Sequence, residues 1–182
     1  MHLSLDILNL DDVGIKTQVP ENGETPAENA RQKVDFAFQK CGIPTFAVDS
    51  GLYIELFPKD KQPGLFVRRI YGKNQAVSDD EMLRYYQQEL DKVGGQSRGT
   101  WLTAIAFRID VSHIHCETFT SEAFFTSKAS RVVMEGEPLN SLQIDPTSGA
   151  YFSEMSPDER IKAQRTRASG IIQFMEQHWN KF

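Results

Sequence analysis

One helix stands out in the pattern of apolar and polar positions along the chain. From residue 27 to residue 41, apolar side chains recur every three or four positions, which is the spacing of one buried helical face: Ala27, Ala30, Val34, Ala37, Phe38 and Cys41. Thr25 and Glu28 form a T-x-x-E capping box before it, and Pro26 suits its first turn. We therefore predict a helix that begins after Thr25 and ends at Gly42, a residue that commonly terminates helices.

Extended segments on both sides of this helix predict strands. Apolar and polar residues alternate over 3–7, with Leu3, Leu5 and Ile7 as the apolar positions, and this predicts a strand that ends or bulges near Leu8. Residues 45–48 predict a second strand, which we expect to end on the turn-forming triplet Asp49-Ser50-Gly51. A strand then resumes over 53–57.

The remaining sequence contains strands and helices without regular alternation. In chain order, we predict a helix over 78–90, a strand over 98–109, strands over 112–122 and 123–134, an irregular segment over 135–149 and a helix over 156–179. The last helix is expected to bury Ile161, Ile171, Phe174 and Met175 along parts of its length. This order of elements favours the α/β class, with an α+β-like mixed sheet flanked by helices, in one domain over residues 1–182.

Composition restricts the partners of such a domain. The 182 residues are 40% hydrophobic and 25% charged, as in soluble globular proteins. A net charge of −5 gives no basic surface for a nucleic-acid polymer, whereas a free nucleotide needs only a local positive pocket. Two cysteines are too few for a disulfide scaffold, and no apolar run approaches the ~20 residues of a membrane helix. The N-terminus does not have the build of a signal peptide, so we expect a cytoplasmic protein with reduced thiols.

Two neighbouring motifs carry candidate chemistry. The first is Glu21 followed by Glu28-Asn29-Ala30-x-x-Lys33, and the second is Asp49-Ser50-Gly51-Leu52. Asn29 and Lys33 lie one helical turn apart, on a polar face that we expect to look toward Asp49. Together these motifs resemble the inosine triphosphate pyrophosphatase family, which hydrolyses non-canonical purine nucleoside triphosphates to monophosphate and pyrophosphate.

The resemblance implies a role for each matching residue. Asp49 would orient the attacking water, and Glu21 would hold Mg²⁺ together with Asp49. Lys33 would act with Asp49 in catalysis by meeting the phosphates. Substrate-binding residues implied by the same match are Asn29, Ser50 and Gly51. The segment over 63–69 resembles the family's P-G-x-Y-S-A-R, and this resemblance implies that Arg69 faces phosphate. From the residue types alone, Asp49 could equally be a turn-former and Lys33 a solvated helix lysine.

The C-terminal third resembles the base-recognition segments of the family less closely. Leu142 stands where the family has an aromatic residue, so it is either part of an altered base site or ordinary core. The resemblance implies that Asp145, Arg160 and Arg167 face the base, with Arg160 in place of a lysine. A solvated basic helix face is the alternative for the two arginines. The altered contacts predict a substrate other than inosine or xanthosine triphosphate.

Two departures from the family pattern affect the phosphate side. The family begins with a strand and a phosphate-gripping loop that lead into a helix. The present sequence aligns only after that unit, about 20 residues later, so we expect an N-terminally shortened fold or a truncated reading frame. Val48 also replaces the first acid of the family's usual D-D-S-G-L. An uncovered sheet edge is expected to be closed by a second subunit, an exchanged element or a rebuilt sheet, and the resemblance implies a homodimer.

Three functions follow from these observations. The first is a divergent nucleoside triphosphate pyrophosphatase that uses Mg²⁺. The second is a catalytically inactive, oligomeric module that keeps the fold and binds a ligand or another protein. The third is a metalloenzyme built on His113 and His115, which share one face of a predicted strand but have no third ligand nearby in sequence.

Overall fold

The chain folds into two compact units. The computed structural model describes residues 6–17, 19, 21–70, 76–163 and 165–179, except for the side chains of 165–169 and 179. Unit 1 contains the described residues within 1–49 and 104–118, and unit 2 contains those within 50–103 and 119–182.

Helices and strands are both present, as the sequence predicts. The helices are α1 (Pro26–Cys41), α2 (Asp79–Lys92), α3 (Pro157–Ala163) and α4 (Arg165–Trp179), and the strands are β1 (Thr45–Ile54), β2 (Gln96–Arg108), β3 (Ile114–Thr126) and β4 (Gln143–Ile144). Within the described residues, the strands form a four-stranded sheet in the order β1-β2-β3-β4. β3 and β4 are antiparallel, with Phe124 opposite Ile144. The predicted α/β class, with a sheet flanked by helices, is confirmed.

Helix α1 begins and ends where its sequence predicts. The Thr25 hydroxyl accepts a hydrogen bond from the Glu28 N–H at 3.2 Å, which satisfies one of the unpaired donors of the first turn. At the other end, Gly42 adopts a positive φ of 70°, and its N–H donates to the Phe38 carbonyl at 2.8 Å. Only half of the expected capping box forms, because the Glu28 carboxylate accepts from the N–H of Glu24 rather than from that of Thr25.

The core of unit 1 is built from small side chains. Ala30 and Val34 of α1 are fully buried and cluster with Ala104 and Ala106 of β2. Partly buried side chains pack around this cluster: Ala27, Ala47, Ile114 and Cys116. Small residues on both surfaces let the helix lie close to the strands, which brings the polar face of α1 within side-chain reach of β1.

The core of unit 2 is larger and more aromatic. Its fully or almost fully buried members include Leu52, Ile54, Tyr86, Leu90, Phe125 and Leu142. The hydroxyl of Tyr86 donates to the Val67 carbonyl at 3.0 Å, so this aromatic ring is buried without an unpaired polar atom. Leu142 has no exposed surface and belongs to this cluster. The interpretation of Leu142 as core is therefore confirmed.

Strand β1 corrects the prediction that a strand ends at Asp49. β1 runs through Asp49 without interruption to Ile54. Leu52 and Gly64 exchange two backbone hydrogen bonds of 2.9 Å, which keep this part of the chain extended. The Gln62 amide then accepts from the Ile54 N–H and donates to the Ile54 carbonyl, and residues 55–56 turn away. Pairing with a segment about ten residues away thus overrides the local turn preference of Asp-Ser-Gly.

The two strands predicted over 112–122 and 123–134 differ from the structure, and so does the predicted burial of Ile161. Residues 114–126 form one strand, and the segment predicted as a strand beyond Thr126 is irregular, because the Ser127 N–H donates to the Gly95 carbonyl. The described residues of the final predicted helix are helical on both sides of residue 164, as α3 and α4, and residue 164 lies outside the described residues. Ile161 of α3 is exposed rather than buried. Phe174 of α4 is buried as expected.

The predicted N-terminal strand is described only in part. Residues 1–5 lie outside the described residues, and residues 6–9 are not a strand. Asn9 and Asp12 each accept a hydrogen bond from the other's backbone N–H, at 3.0 and 2.8 Å. This reciprocal pair stabilises a turn over 10–14 instead of an extended chain.

The buried position of Leu142 leads to a stability prediction. We expect Leu142→Ala to lower the free energy of unfolding by about 2–5 kcal/mol, because the substitution leaves a cavity in the core of unit 2. Leu56→Ala, at an exposed leucine of the same unit, is the matched control and should change it by about 0.5 kcal/mol or less. Urea denaturation of both variants measures the difference, and equal effects would contradict the core assignment.

Candidate active site

The loop that carries Glu21 is fastened to α1 by side chains of that helix. Three successive loop N–H groups donate to side-chain oxygens on the first two turns of α1: Asn22 to Gln32 Oε1 at 3.3 Å, Gly23 to Asn29 Oδ1 at 2.8 Å and Glu24 to Glu28 Oε2 at 2.7 Å. The loop approaches so closely that a Cβ on Gly23 would lie 2.7 Å from the Glu28 Cβ. Glycine at this position therefore sets how near the loop lies to the helix.

Four predicted site residues meet in unit 1. The Lys33 Nζ lies 2.6 Å from Asp49 Oδ1 and 2.8 Å from Glu21 Oε1, so one ammonium bridges both carboxylates. Asn29 Nδ2 donates to the other Asp49 oxygen, Oδ2, at 3.2 Å. The expectation that Asn29 and Lys33 look toward Asp49 therefore agrees with the structure.

The cluster is partly withdrawn from water. The side chains of Asp49, Lys33 and Glu21 are 13%, 21% and 39% exposed. Burial by itself lowers the pKa of Lys33, but its hydrogen bonds to Asp49 and Glu21 and their negative charges outweigh burial and raise the pKa. Lys33 thus stays an ammonium at neutral pH.

A pocket of about 390 Å³ opens beside this cluster within unit 1. Glu21 and Lys33 form its polar part, and apolar atoms of α1, of β1 and of the preceding loop form the rest: Leu10, Val19, Ala37, Thr45, Phe46 and Ala47. The pocket gives a ligand access to the lysine and to the loop carboxylate.

The donor set of the cluster fits a hard divalent cation. Among the described residues, no group of three or more His, Cys, Asp and Glu side chains could hold a metal. Mg²⁺, however, commonly uses one or two protein carboxylates and completes its shell with water and substrate phosphate. Glu21 and Asp49, held by the same ammonium, provide such a pair.

Ser50 and Gly51 follow Asp49 along β1 and belong to unit 2. The Ser50 hydroxyl lies 3.0 Å from that of Thr103. A Cβ on Gly51 would lie 3.2 Å from the Gly64 carbonyl oxygen. Within unit 2, both residues therefore have a structural explanation in the strand and its neighbour.

Arg69 lies at a second pocket, of about 460 Å³, within unit 2. Its guanidinium stands 5.0 Å from the centre of the Phe66 ring, and Lys61 and Tyr85 also line the pocket. The preceding Arg68 instead pairs with Asp79 at 2.8 Å and donates to the Gly136 carbonyl. The Gly136 N–H and Arg68 both hydrogen-bond to Asp79 and lower its pKa.

Asp145 is engaged by its own turn. Its carboxylate accepts from the N–H of Thr147 and from both the N–H and the hydroxyl of Ser148, the last at 2.7 Å. The bond from the Ser148 hydroxyl is the main reason that the pKa of Asp145 is lowered. This pattern is a turn stabilised by an aspartate side chain.

The two C-terminal arginines differ in what can be described. Arg160 is half-buried, and its Nη1 lies 2.8 Å from the Met134 sulfur. The side chain of Arg167 lies outside the described residues. At the start of α3, Ser156 and Glu159 form the complete capping box that the sequence predicts.

His113 belongs to a turn before β3. Its Nδ1 lies 2.8 Å from Asp110 Oδ2, and its backbone N–H donates to Asp110 Oδ1. The imidazole of His113 lowers the pKa of Asp110 more than any other group does. This pairing accounts for His113 as part of a turn.

Sequence analysis missed Gly23 and Gln32 as residues that shape the site. Gly23 has the sequence signal of a loop breaker only, and Gln32 that of a polar helix position. Their contacts join the loop to the helix across six and ten residues. No local pattern reports such contacts.

Neither a disulfide nor a membrane-spanning helix is found among the described residues. Cys41 and Cys116 are both free thiols. In the described part of the chain, no helix is both long enough and apolar enough to span a bilayer.

Proteins of similar sequence match a large part of this chain. A dITP/XTP pyrophosphatase from Porphyromonas gingivalis is 30% identical over 102 residues, which cover 56% of this chain and 50% of the relative. One from Mannheimia succiniciproducens is 30% identical over 158 residues and covers 84% of this chain and 76% of the relative. The chain thus spans about half the length of the first relative and about three quarters of the second.

Solved structures show the same fold. A Ham1 protein from Staphylococcus aureus aligns with a TM-score of 0.74 at 18% identity, over 94% of this chain and 87% of that chain. A HAM1 protein from Coxiella burnetii aligns with a TM-score of 0.71 at 20% identity, over 88% and 81%. The Ham1 family profile matches residues 2–175. The resemblance to inosine triphosphate pyrophosphatases is thereby confirmed, and the chain belongs to the Ham1 family.

Proposed function

We propose that this protein hydrolyses a non-canonical purine nucleoside triphosphate to the monophosphate and pyrophosphate, with Mg²⁺ as cofactor. Membership of the Ham1 family supports the reaction class, and the relatives named dITP/XTP pyrophosphatases support the kind of substrate. The observation that carries the proposal is the contact of Lys33 with both Asp49 and Glu21 beside an open pocket.

Asp49 is the residue proposed to orient the attacking water. Each of its oxygens accepts one hydrogen bond, from Lys33 or from Asn29. An ionised carboxylate offers about four lone-pair positions, so Asp49 retains the capacity to accept from a water molecule. In the reaction, the water oxygen bonds to the α-phosphorus and the water passes a proton to the Asp49 carboxylate. The bond from that phosphorus to the bridging oxygen breaks, and pyrophosphate leaves.

Lys33 and Glu21 are proposed to serve the phosphates. Lys33 remains positively charged, so it offers a point charge to a polyphosphate that enters the pocket. Glu21 and Asp49 would hold Mg²⁺, which supplies charge neutralisation and Lewis-acid stabilisation of the phosphoryl oxygens when bound. Lys33 holds the two carboxylates near one another and so prearranges that pair.

The preference for one base over another is proposed from the C-terminal third. Leu142 is aliphatic and buried in the core, so it cannot stack on a purine as an aromatic residue at this position would. Asp145, Arg160 and Arg167 keep their predicted role at the base as a hypothesis. We propose that the preferred substrate carries a base other than that of inosine or xanthosine triphosphate.

Three other expectations stay predictions: a single domain, a cytoplasmic location and a homodimer. Exposed apolar side chains in unit 1 support a subunit contact, and they include Ile43, Phe46 and Val48. Light scattering of the purified protein measures the oligomeric state, and a monomer at high micromolar concentration would contradict the dimer.

The experiment that tests the function is a panel of nucleoside triphosphates with Mg²⁺, monitored for pyrophosphate. Inosine, xanthosine and their deoxy forms are compared with the four canonical nucleotides. Release of pyrophosphate from any of them supports the reaction class, and their relative rates establish the base preference. Faster release from the canonical nucleotides than from the others would contradict the proposed substrate class. Binding without turnover would support the inactive ligand-binding alternative, and neither binding nor turnover would refute a nucleotide function.

Asp49→Asn tests the assigned mechanism. We expect this variant to keep its fold and to lose at least about 100-fold in kcat, because an amide is a poor acceptor for the proton of an attacking water. Asp91→Asn, at an exposed position of α2, is the matched control and should retain wild-type kcat. Pyrophosphate release measures both, and unchanged turnover in Asp49→Asn would refute the assigned mechanism.

Lys33→Met tests the charge arrangement through stability. At pH 7 we expect the free energy of unfolding to fall by about 1–3 kcal/mol, between the values of exposed and buried ion pairs. Because the folded-state pKa of Lys33 is raised, its contribution is complete below the ordinary lysine pKa of ~10.4 and is lost as the pH rises through the folded value.

The difference in stability between wild type and Lys33→Met should therefore be constant from neutral pH to about 10 and shrink above it. Urea denaturation from pH 7 to pH 11 measures this difference. Lys40→Met, at an exposed lysine of the same helix, is the control and should show a small difference at every pH. A large difference that persists undiminished at pH 11 would contradict the ion-pair explanation.

A further inference from the structure

Both the oxygen and the nitrogen of the Asn29 side-chain amide form hydrogen bonds. Its Oδ1 accepts from the Gly23 N–H at 2.8 Å, and its Nδ2 donates to Asp49 Oδ2 at 3.2 Å. The residue is 5% exposed, so almost none of its surface is available to a ligand. These facts describe a buried connector and do not fit the substrate contact that the sequence resemblance implies.

Gly23 shows independently that the loop must lie against α1. A Cβ at this position would be 2.7 Å from the Glu28 Cβ and 2.8 Å from Asn29 Oδ1. Contacts below 3.0 Å require the loop or the helix to shift, and the atoms concerned lie on or near the helix backbone. Any side chain at Gly23 therefore pushes the loop away from the Asn29 amide.

The two bonds of Asn29 complete a closed ring of contacts. Lys33 joins Glu21 to Asp49, and Asn29 joins the same loop to the same aspartate. The helix thus joins the loop to the strand twice, once through Lys33 and once through Asn29. Displacement of the Asn29 amide would release the loop and one oxygen of Asp49 together.

We propose that Asn29 is a positioning residue that fixes the separation of the Glu21 and Asp49 carboxylates through its contact with the Gly23 backbone. This inference rests on the proposed hydrolase function, in which that carboxylate pair orients water and binds the cation. Misplacement of reacting groups by about 1 Å can cost up to about 100-fold in rate. A positioning residue therefore affects kcat much more than it affects the affinity for nucleotide.

Steady-state kinetics of Asn29→Ala and Gly23→Ala test the inference. Both variants should lower kcat by about 10- to 100-fold and leave KM within about threefold of wild type. Gly23→Ala is decisive, because it moves the loop without removing any side chain that could touch a nucleotide. Gln39→Ala removes an exposed amide from the same helix and is the matched control, with kinetics expected to equal those of wild type.

Other kinetic outcomes would overturn the assignment. A rise in KM with unchanged kcat in Asn29→Ala would identify Asn29 as a ground-state substrate contact. Wild-type kinetics in a folded Gly23→Ala protein would show that the position of the loop does not matter.

Amide hydrogen exchange measured by NMR provides a readout that does not need activity. Exchange of the Gly23 N–H should be slow in wild type and at least about tenfold faster in Asn29→Ala. In Asp49→Ala it should also become faster, because the Asn29 amide loses the partner that orients it. Unchanged Gly23 exchange in Asp49→Ala would refute the coupling even if the enzyme is active, whereas absence of any turnover in wild type would refute only the proposed function.

Discussion

The contact on which the candidate site depends is the Lys33 ammonium between two carboxylates. Without this cation, Glu21 and Asp49 would repel each other and would have to stay apart or take up protons. With it, three segments that are distant in sequence are brought together: the loop before α1, the helix itself and strand β1. Partial burial opposes the charge on Lys33, and its two short hydrogen bonds more than compensate. The arrangement is therefore stable only as a set.

The packing of α1 explains why such short distances are possible. Ala30 and Val34 lie against Ala104 and Ala106, so the helix sits close to the strands. Asn29 and Lys33 occupy the neighbouring helical positions, so they also lie close to the strands. For this reason, even the short side chain of Asn29 reaches Asp49. Larger residues at the alanine positions would move the helix outward, and the polar contacts would lengthen with it. The apolar core of unit 1 thus determines the geometry of its charged cluster.

Sequence reasoning succeeded where the determining interactions are local. The span of α1 follows from its periodicity, from the Thr25 cap and from Gly42, all of which act within four residues of the positions that they control. The continuity of β1 through Asp49 was not predictable in this way, because it depends on hydrogen bonds to Gly64 and Gln62. The hydrogen bond from the Gly23 N–H to the Asn29 side chain was missed for the same reason. The one-turn spacing of Asn29 and Lys33 predicted that both look toward Asp49, whereas the family resemblance placed Glu21 in the same group.

The difference between Asp49 and Asp145 shows how partners separate a site acid from a turn acid. Asp145 accepts from residues two and three positions further along, and any chain with this local sequence could form that turn. Asp49 takes its partners from residues 20 and 16 positions earlier, so its carboxylate is fixed only by the folded unit. An aspartate that only stabilised the local backbone of a strand would need neither Asn29 nor Lys33 as a hydrogen-bond partner. Holding a partly buried acid opposite a lysine and an amide costs desolvation free energy, and the catalytic role that we propose for Asp49 would give that arrangement a use.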